Sequence, residues 1–87
     1  MFVEGLNNTV TGFAAHAQNR NNTAIGHYSH VGGYNSIASG KHSFAHGNNV
    51  KALGENSFAT GASTQAIAAN SFSLGCESKV EYNDTTN

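Results

Sequence analysis

Residues 21–61 read NNTAIGH-YSHVGGY-NSIASGK-HSFAHGN-NVKALGE-NSFATG when broken every seven residues, and each block holds a glycine at its sixth place. The same register holds Gly5, Gly12, Gly26, Gly33, Gly40, Gly47, Gly54, Gly61 and Gly75, nine of the ten glycines in the chain. It runs from Gly5 to Tyr82 without insertion or deletion. Asn19, Ala68 and Tyr82 stand where a glycine lapses, and Gly32 is the one glycine outside the series. A fixed period over nearly a whole chain signifies stacked equivalent units rather than a globular domain built around a pocket.

The five residues ending at each register glycine define the unit. The third of them is always small or β-branched: Val10, Ala17, Ala24, Val31, Ala38, Ala45, Ala52, Ala59, Ala66, Ser73 and Val80. The first is mostly Ser, Asn or Thr, while the second and fourth are large and variable. Small residues at period two predict a β-strand with a tight inner face and a bulky outer one. Two residues separate successive phrases, and the second of them is Asn at 7, 21, 35, 49, 56 and 70. Glycine followed closely by asparagine is turn chemistry, since both tolerate positive φ. Seven residues therefore supply one short strand and one corner. If positive φ is why glycine recurs, Ala68 is a strained substitute, and Ala68→Gly would stabilise.

A longer period lies over the first. In alternate phrases the second residue is Phe2, His16, His30, Phe44, Phe58 and Phe72; in the others it is Thr9, Thr23, Ile37, Lys51, Gln65 and Lys79. The structural unit is thus 14 residues, one coil of a parallel β-solenoid, repeated about six times. Coils stack at about 4.8 Å. Phe44, Phe58 and Phe72 then form an aromatic ladder, and Ile25, Leu53 and Ile67 part of an aliphatic one. An interior of Ala, Ser and Gly removes little apolar area from water, so it offsets poorly the entropy of ordering the chain. The large apolar side chains meanwhile face outward, where ladders of this extent call for a partner. Apolar columns on two opposite faces suit a heterologous contact that closes into a ring, the smallest beyond a dimer being a trimer. A homotrimer is the expected assembly.

Composition narrows the function. Charged residues make up 10% of the 87 and the formal net charge is −1. Such a chain has no electrostatic footprint for nucleic acid or an anionic membrane. Between Gly5 and Gly75 the charged residues are Arg20, Lys41, Lys51 and Glu55. Cys76 is the sole cysteine, so no disulfide forms within the chain. No apolar run is long enough to span a membrane as a helix, and the start, MFVEG, has neither the basic nor the apolar part of a signal peptide. Proline is absent, as suits continuous ladders.

These phrases resemble the head repeats of trimeric autotransporter adhesins, the YadA-like head, whose units take the forms NSVAIG and S-x-A-x-G. NNTAIG at 21–26 is the closest copy, and NSIASG, NVKALG, NSFATG and NSFSLG follow the pattern. The resemblance covers residues 5 to about 82, within a single domain of 1–87 that ends in a polar tail at 83–87. It implies an all-β fold: a left-handed parallel β-roll of 14-residue coils, assembled as a homotrimer and carried at the tip of a bacterial surface fibre. It also implies adhesion to host cells or extracellular matrix, outside the cell. By that resemblance Thr23 and Ile25, Ile37 and Ser39, Lys51 and Leu53, and Gln65 and Ile67 face the trimer centre. Lys51 and Gln65 suit its edge better than a dry middle. The trimer contact is therefore expected from Ile25, Ile37, Leu53 and Ile67 on one face and Phe44, Phe58 and Phe72 on the other. No neck motif, heptad stalk or membrane anchor follows Gly75. The phrases SHVGG at 29–33 and SFAHG at 43–47 are similar to repeats of phage and prophage tail proteins, so a structural or receptor-binding tail-fibre segment of a virion is the alternative.

Other chemistries fit less well. His16 and His30 share a column, and on a trimer axis each would make a ring of three imidazoles able to hold a metal or anion. The simpler account is that this column accepts any flat ring, as Phe44 shows. His27, His42 and His46 fall at corners or outward positions. Serines near histidines suggest a nucleophile, but the serines recur because the register demands a small residue, and no acid recurs with them. Calcium-binding rolls need repeated aspartates; here only Asp84 occurs. The threonine column Thr9, Thr23 gives way to Ile37 and Lys51. The acceptor pattern of Asn7-Asn8-Thr9 and Asn21-Asn22-Thr23 is a by-product of the repeat. No catalytic residue, metal site or cofactor is expected.

Overall fold

The structure, a computed structural model, describes residues 2–80 and bears out the 14-residue coil. Long and short strands alternate along the chain. The long ones are β1 (Phe2–Leu6), β3 (His16–Arg20), β5 (His30–Tyr34), β7 (Phe44–Asn48), β9 (Phe58–Ala62) and β11 (Phe72–Cys76). The short ones are β2 (Thr9–Val10), β4 (Thr23–Ala24), β6 (Ile37–Ala38), β8 (Lys51–Ala52), β10 (Gln65–Ala66) and β12 (Lys79–Val80). Each set forms its own six-stranded parallel sheet, ordered β1-β3-β5-β7-β9-β11 and β12-β10-β8-β6-β4-β2. Strand pairing joins residues one coil apart, as Phe2 to His16, Phe44 to Phe58 and Gln65 to Lys79. Six coils of a parallel β-solenoid result. The expected repeat at 82 and the tail at 83–87 lie outside the described residues.

The two sheets lie back to back, and the smallest principal extent of the molecule is 10 Å. Ala, Ser and Gly permit that thinness. Ala17, Ala24, Ala38, Ala45, Ala52, Ala59, Ala66, Val31 and Val50 are fully buried between the sheets. Ser29, Ser43, Ser57 and Ser71 are buried with them, at the inward place that opens each long-strand phrase. The prediction that small residues turn in and bulky ones out holds in both sheets.

Corners fall where the asparagines mark them. Asn7, Asn21, Asn35, Asn49, Asn56 and Asn70 all take left-handed φ, and so do Ala14, Tyr28, His42, Ser63 and Glu77 at the same seven-residue interval, with φ from 55° to 64°. Tolerance alone does not explain Tyr28 or Ala14, which gain nothing from that conformation. The stack imposes it: the Tyr28 N–H donates to Phe13 O at 2.8 Å, that of His42 to His27 O at 2.9 Å, and that of Ser63 to Asn48 O at 2.9 Å. Each corner after the first coil is thereby tied to the corner of the coil before it.

The glycines divide into two kinds, which corrects the single reason assigned to them. Gly5, Gly33, Gly47, Gly61 and Gly75, in the long strands, have φ between 96° and 138°. Gly12, Gly26, Gly40 and Gly54, after the short strands, do not have positive φ. Their need is spatial: a Cβ on Gly26 would strike the carbonyl of Gly40, and one on Gly54 that of Ala68. Ala68 likewise has no positive φ, so its backbone conformation does not call for glycine.

Candidate functional site

The outward side chains of the two sheets make the candidate surface. On the long-strand sheet, the residue that opens each strand builds one continuous column of rings. Phe44 and Phe58 stack with centroids 4.8 Å apart and planes 4° from parallel, and Phe58 and Phe72 at 4.6 Å and 3°. Going the other way, His30 lies 4.9 Å from Phe44, His16 4.6 Å from His30, and Phe2 4.5 Å from His16. The rings tilt progressively toward Phe2, from 31° to 48° to 69°. The ladder follows from the register: residues 14 apart are hydrogen-bonded neighbours in a parallel sheet, and flat rings fill the inter-strand spacing. His16 and His30 thus share the column assigned to them from sequence.

Beside it runs a second outward column, Glu4, Gln18, Gly32, His46, Thr60 and Leu74. Here sequence reasoning missed an arrangement. Gly32 is buried although it sits on the outward face, because the His46 ring and the Gln18 side chain close over it. A Cβ at Gly32 would lie 2.7 Å from His46 Cδ2 and 3.3 Å from Gln18 Cγ. His46 also stacks on Phe44, centroids 6.3 Å apart and planes 17° from parallel. Three imidazoles, those of His16, His30 and His46, are therefore gathered on one patch. Burial first, then the nearby His16 and His46, hold His30 below the ordinary histidine value. The visible signal was a volume exchange: the one glycine outside the register lies one coil before the one histidine in the fourth place.

The short-strand sheet presents the aliphatic side chains. Ile25 and Leu53 are 49% and 38% exposed, large fractions for a single chain, whereas Ile37 and Ile67 are half-buried. Lys51 and Gln65 share the column of Ile37, and Leu53 and Ile67 that of Ile25, as the register predicted. The two ladders thus occupy opposite faces of the slab.

The corners carry a third set. Tyr28 and His42 stack at 5.1 Å, Phe13 meets Tyr28 edge-on at 5.8 Å, and the row continues as side-chain hydrogen bonds from His42 to Asn56 (3.2 Å) and from Asn56 to Asn70 (3.0 Å). His27 Nδ1 accepts the Phe13 N–H at 2.9 Å. Phe13 and His27 border a shallow cleft with Thr11, Gly12 and Ala14.

Serine and histidine do not converge. The Ser29, Ser43 and Ser57 hydroxyls point into the core without a partner, whereas His30 points out from the opposite side of its strand. Among the described residues, no three His, Cys, Asp or Glu side chains are placed to hold one metal ion. Cys76 is a free, exposed thiol at the end of β11. No described helix is long and apolar enough to cross a membrane. No protein-family model matches the chain, and no curated protein matches it.

Proposed function

We propose that this chain is a non-enzymatic adhesin head segment that works as a homotrimer, three left-handed β-rolls side by side, on the outside of a bacterial cell. The observation that carries the proposal is the inversion of side-chain size. The interior is Ala, Ser and Gly, while Phe44, Phe58 and Phe72 on one face and Ile25, Leu53 and Ile67 on the other project outward in ladders. Opposite apolar faces on a flat slab allow one face of each chain to meet the other face of its neighbour, and three such contacts close a ring. Coils so poor in apolar core gain their stability by covering those ladders. The NNTAIG-type phrases add the adhesin likeness. Surfaces repeated by symmetry and by clustering of fibres would hold host cells or extracellular matrix through many weak contacts.

A tail-fibre segment of a phage or prophage is the second reading, favoured by the phrases SHVGG and SFAHG. It shares the trimer and differs in what the outer surface meets. Sedimentation velocity at micromolar concentration tests the common part: a trimer is expected, and a folded monomer would overturn both readings. Binding to immobilised collagen or laminin, lost when the trimer is disrupted, separates adhesion from a purely structural role.

A further inference from the structure

The ring column changes character along its length. From Phe44 through Phe72 it is all benzene, without a titratable group. From Phe2 to Phe44 two of its members are imidazoles, and His46 leans over Gly32 to add a third. A neutral imidazole stacks much as a phenyl ring does. An imidazolium beside another at the 4.6 Å separation of His16 and His30 is repelled well within the Debye length of about 8–10 Å. We infer that His30, crowded by the His16 and His46 rings, makes the amino-terminal half of the long-strand face a proton-sensitive section, which loosens at mildly acidic pH while the Phe44–Phe72 half holds.

The neighbours of His30 leave little to offset its charge. β3 brings His16 and Arg20, the latter over the Tyr34 ring at 5.8 Å, and β7 brings Phe44 and His46. From across the core, β4 and β6 bring Thr23, Ala24, Ile37 and Ala38, none of which titrates. Within the six long strands the one carboxylate is Glu4, and it lies beside His16, 4.0 Å from Nε2. The Phe44 ring, 4.9 Å away, offers an imidazolium at His30 a weak cation–π compensation. The sign follows from its lowered value in the folded state. The unfolded chain takes up its proton first, at about pH 6.5. Stability is therefore full above that pH and is lost as pH falls from there to the lower folded value.

The test compares melting midpoints at about pH 7.5 and about pH 5, which bracket histidine titration, at one protein concentration. The wild-type midpoint should fall on acidification. It should fall less than half as far in His16→Phe/His30→Phe, which completes the phenyl ladder. His42→Gln, altering an exposed corner histidine whose Nδ1 faces the Asn56 Oδ1 acceptor, should keep the wild-type fall. Equal falls in the wild type and the double-Phe variant would overturn the inference. Should that variant fail to fold, proton NMR of the wild-type imidazoles decides. A His30 titration below about pH 6.5 supports the section, and one at or above it overturns it.

Discussion

Asn22 Oδ1 accepts the backbone N–H of Ser36 at 2.8 Å, and its amide nitrogen donates to Gln18 O at 2.6 Å and Gly33 O at 2.8 Å. A fully buried side chain thus completes backbone pairing across two coils and the corner between them. Asn8 does the same one coil earlier, with Oδ1 accepting the Asn22 N–H at 2.9 Å and its amide donating to Glu4 O and Asn19 O. Ser36 continues the column with a hydroxyl that donates to Gly47 O and accepts the Val50 N–H. At Val50 an apolar side chain interrupts the column, and Thr64, fully buried, follows one coil later.

Asn22→Leu keeps the volume of this brace and removes its hydrogen bonds. It leaves the Ser36 N–H and two carbonyls in a dry interior, where each unpaired group costs about 1–3 kcal/mol. Val50 shows that the column tolerates an apolar side chain, so relaxation recovers part of the loss. A net destabilisation of about 2 kcal/mol is expected in urea unfolding. An unchanged midpoint would mean that Asn22 only fills space.

The two kinds of glycine separate three substitutions that look alike in sequence. Gly54→Ala places a methyl against the Ala68 carbonyl and should destabilise by about 3 kcal/mol, as overpacking against backbone does. Ala68→Gly relieves no positive φ and should bring no gain. Ala14→Gly should stabilise by about 0.5–1 kcal/mol, because Ala14 holds φ of 55° with a Cβ. Thermal unfolding of the three variants checks the order. A gain at 68 and none at 14 would reverse the assignment.

Phe58→Asp places a carboxylate in the middle of the stacked phenyl rings, between Phe44 and Phe72. If that ladder is covered by a neighbouring chain, sedimentation should show loss of the trimer. Asn48→Asp, an exposed change at the far end of β7, should leave the trimer intact. A trimer that survives Phe58→Asp would put the ladder on the solvent face and move the contact to the Ile25–Leu53 side.

The coil length, the inward alanines and the shared columns of His16 with His30 and of Phe44 with Phe58 were legible because side-chain size is written at period two and the stack repeats it every 14 residues. Backbone conformation was less legible. Glycine marks close approach to the next coil in both sheets but positive φ in the long strands alone, and one letter does not tell the two needs apart. Asn19 shows the same blindness. It stands at a glycine place with φ of 81°, and its Oδ1 accepts the Gly33 N–H at 3.2 Å, where the pairing of β3 with β5 skips Gln18 and Asn19. Side-chain braces such as Asn22 look like ordinary small or polar register residues until the coil is closed. Which outer face meets a partner depends on a second chain, so the ladders were legible and their occupant was not.

Gly32 and His46 give the sharpest test of packing on the outer face, because the vacancy at one is filled by the other. In Gly32→Ala the new methyl meets His46 Cδ2 at 2.7 Å and Nε2 at 3.1 Å, so the ring must swing outward and give up its stacking on Phe44. The ring is the end of an exposed side chain and can move, so the loss should be about 1 kcal/mol rather than the larger penalty of a backbone clash. In a His46→Ala background the two imidazole contacts are gone, Gln18 Cγ at 3.3 Å belongs to a flexible side chain, and the same substitution should be nearly neutral. A double-mutant cycle by urea unfolding then yields a coupling of about 1 kcal/mol between positions 32 and 46. Coupling near zero would mean that the imidazole does not rest over the glycine, and would also remove His46 from the patch shared with His16 and His30.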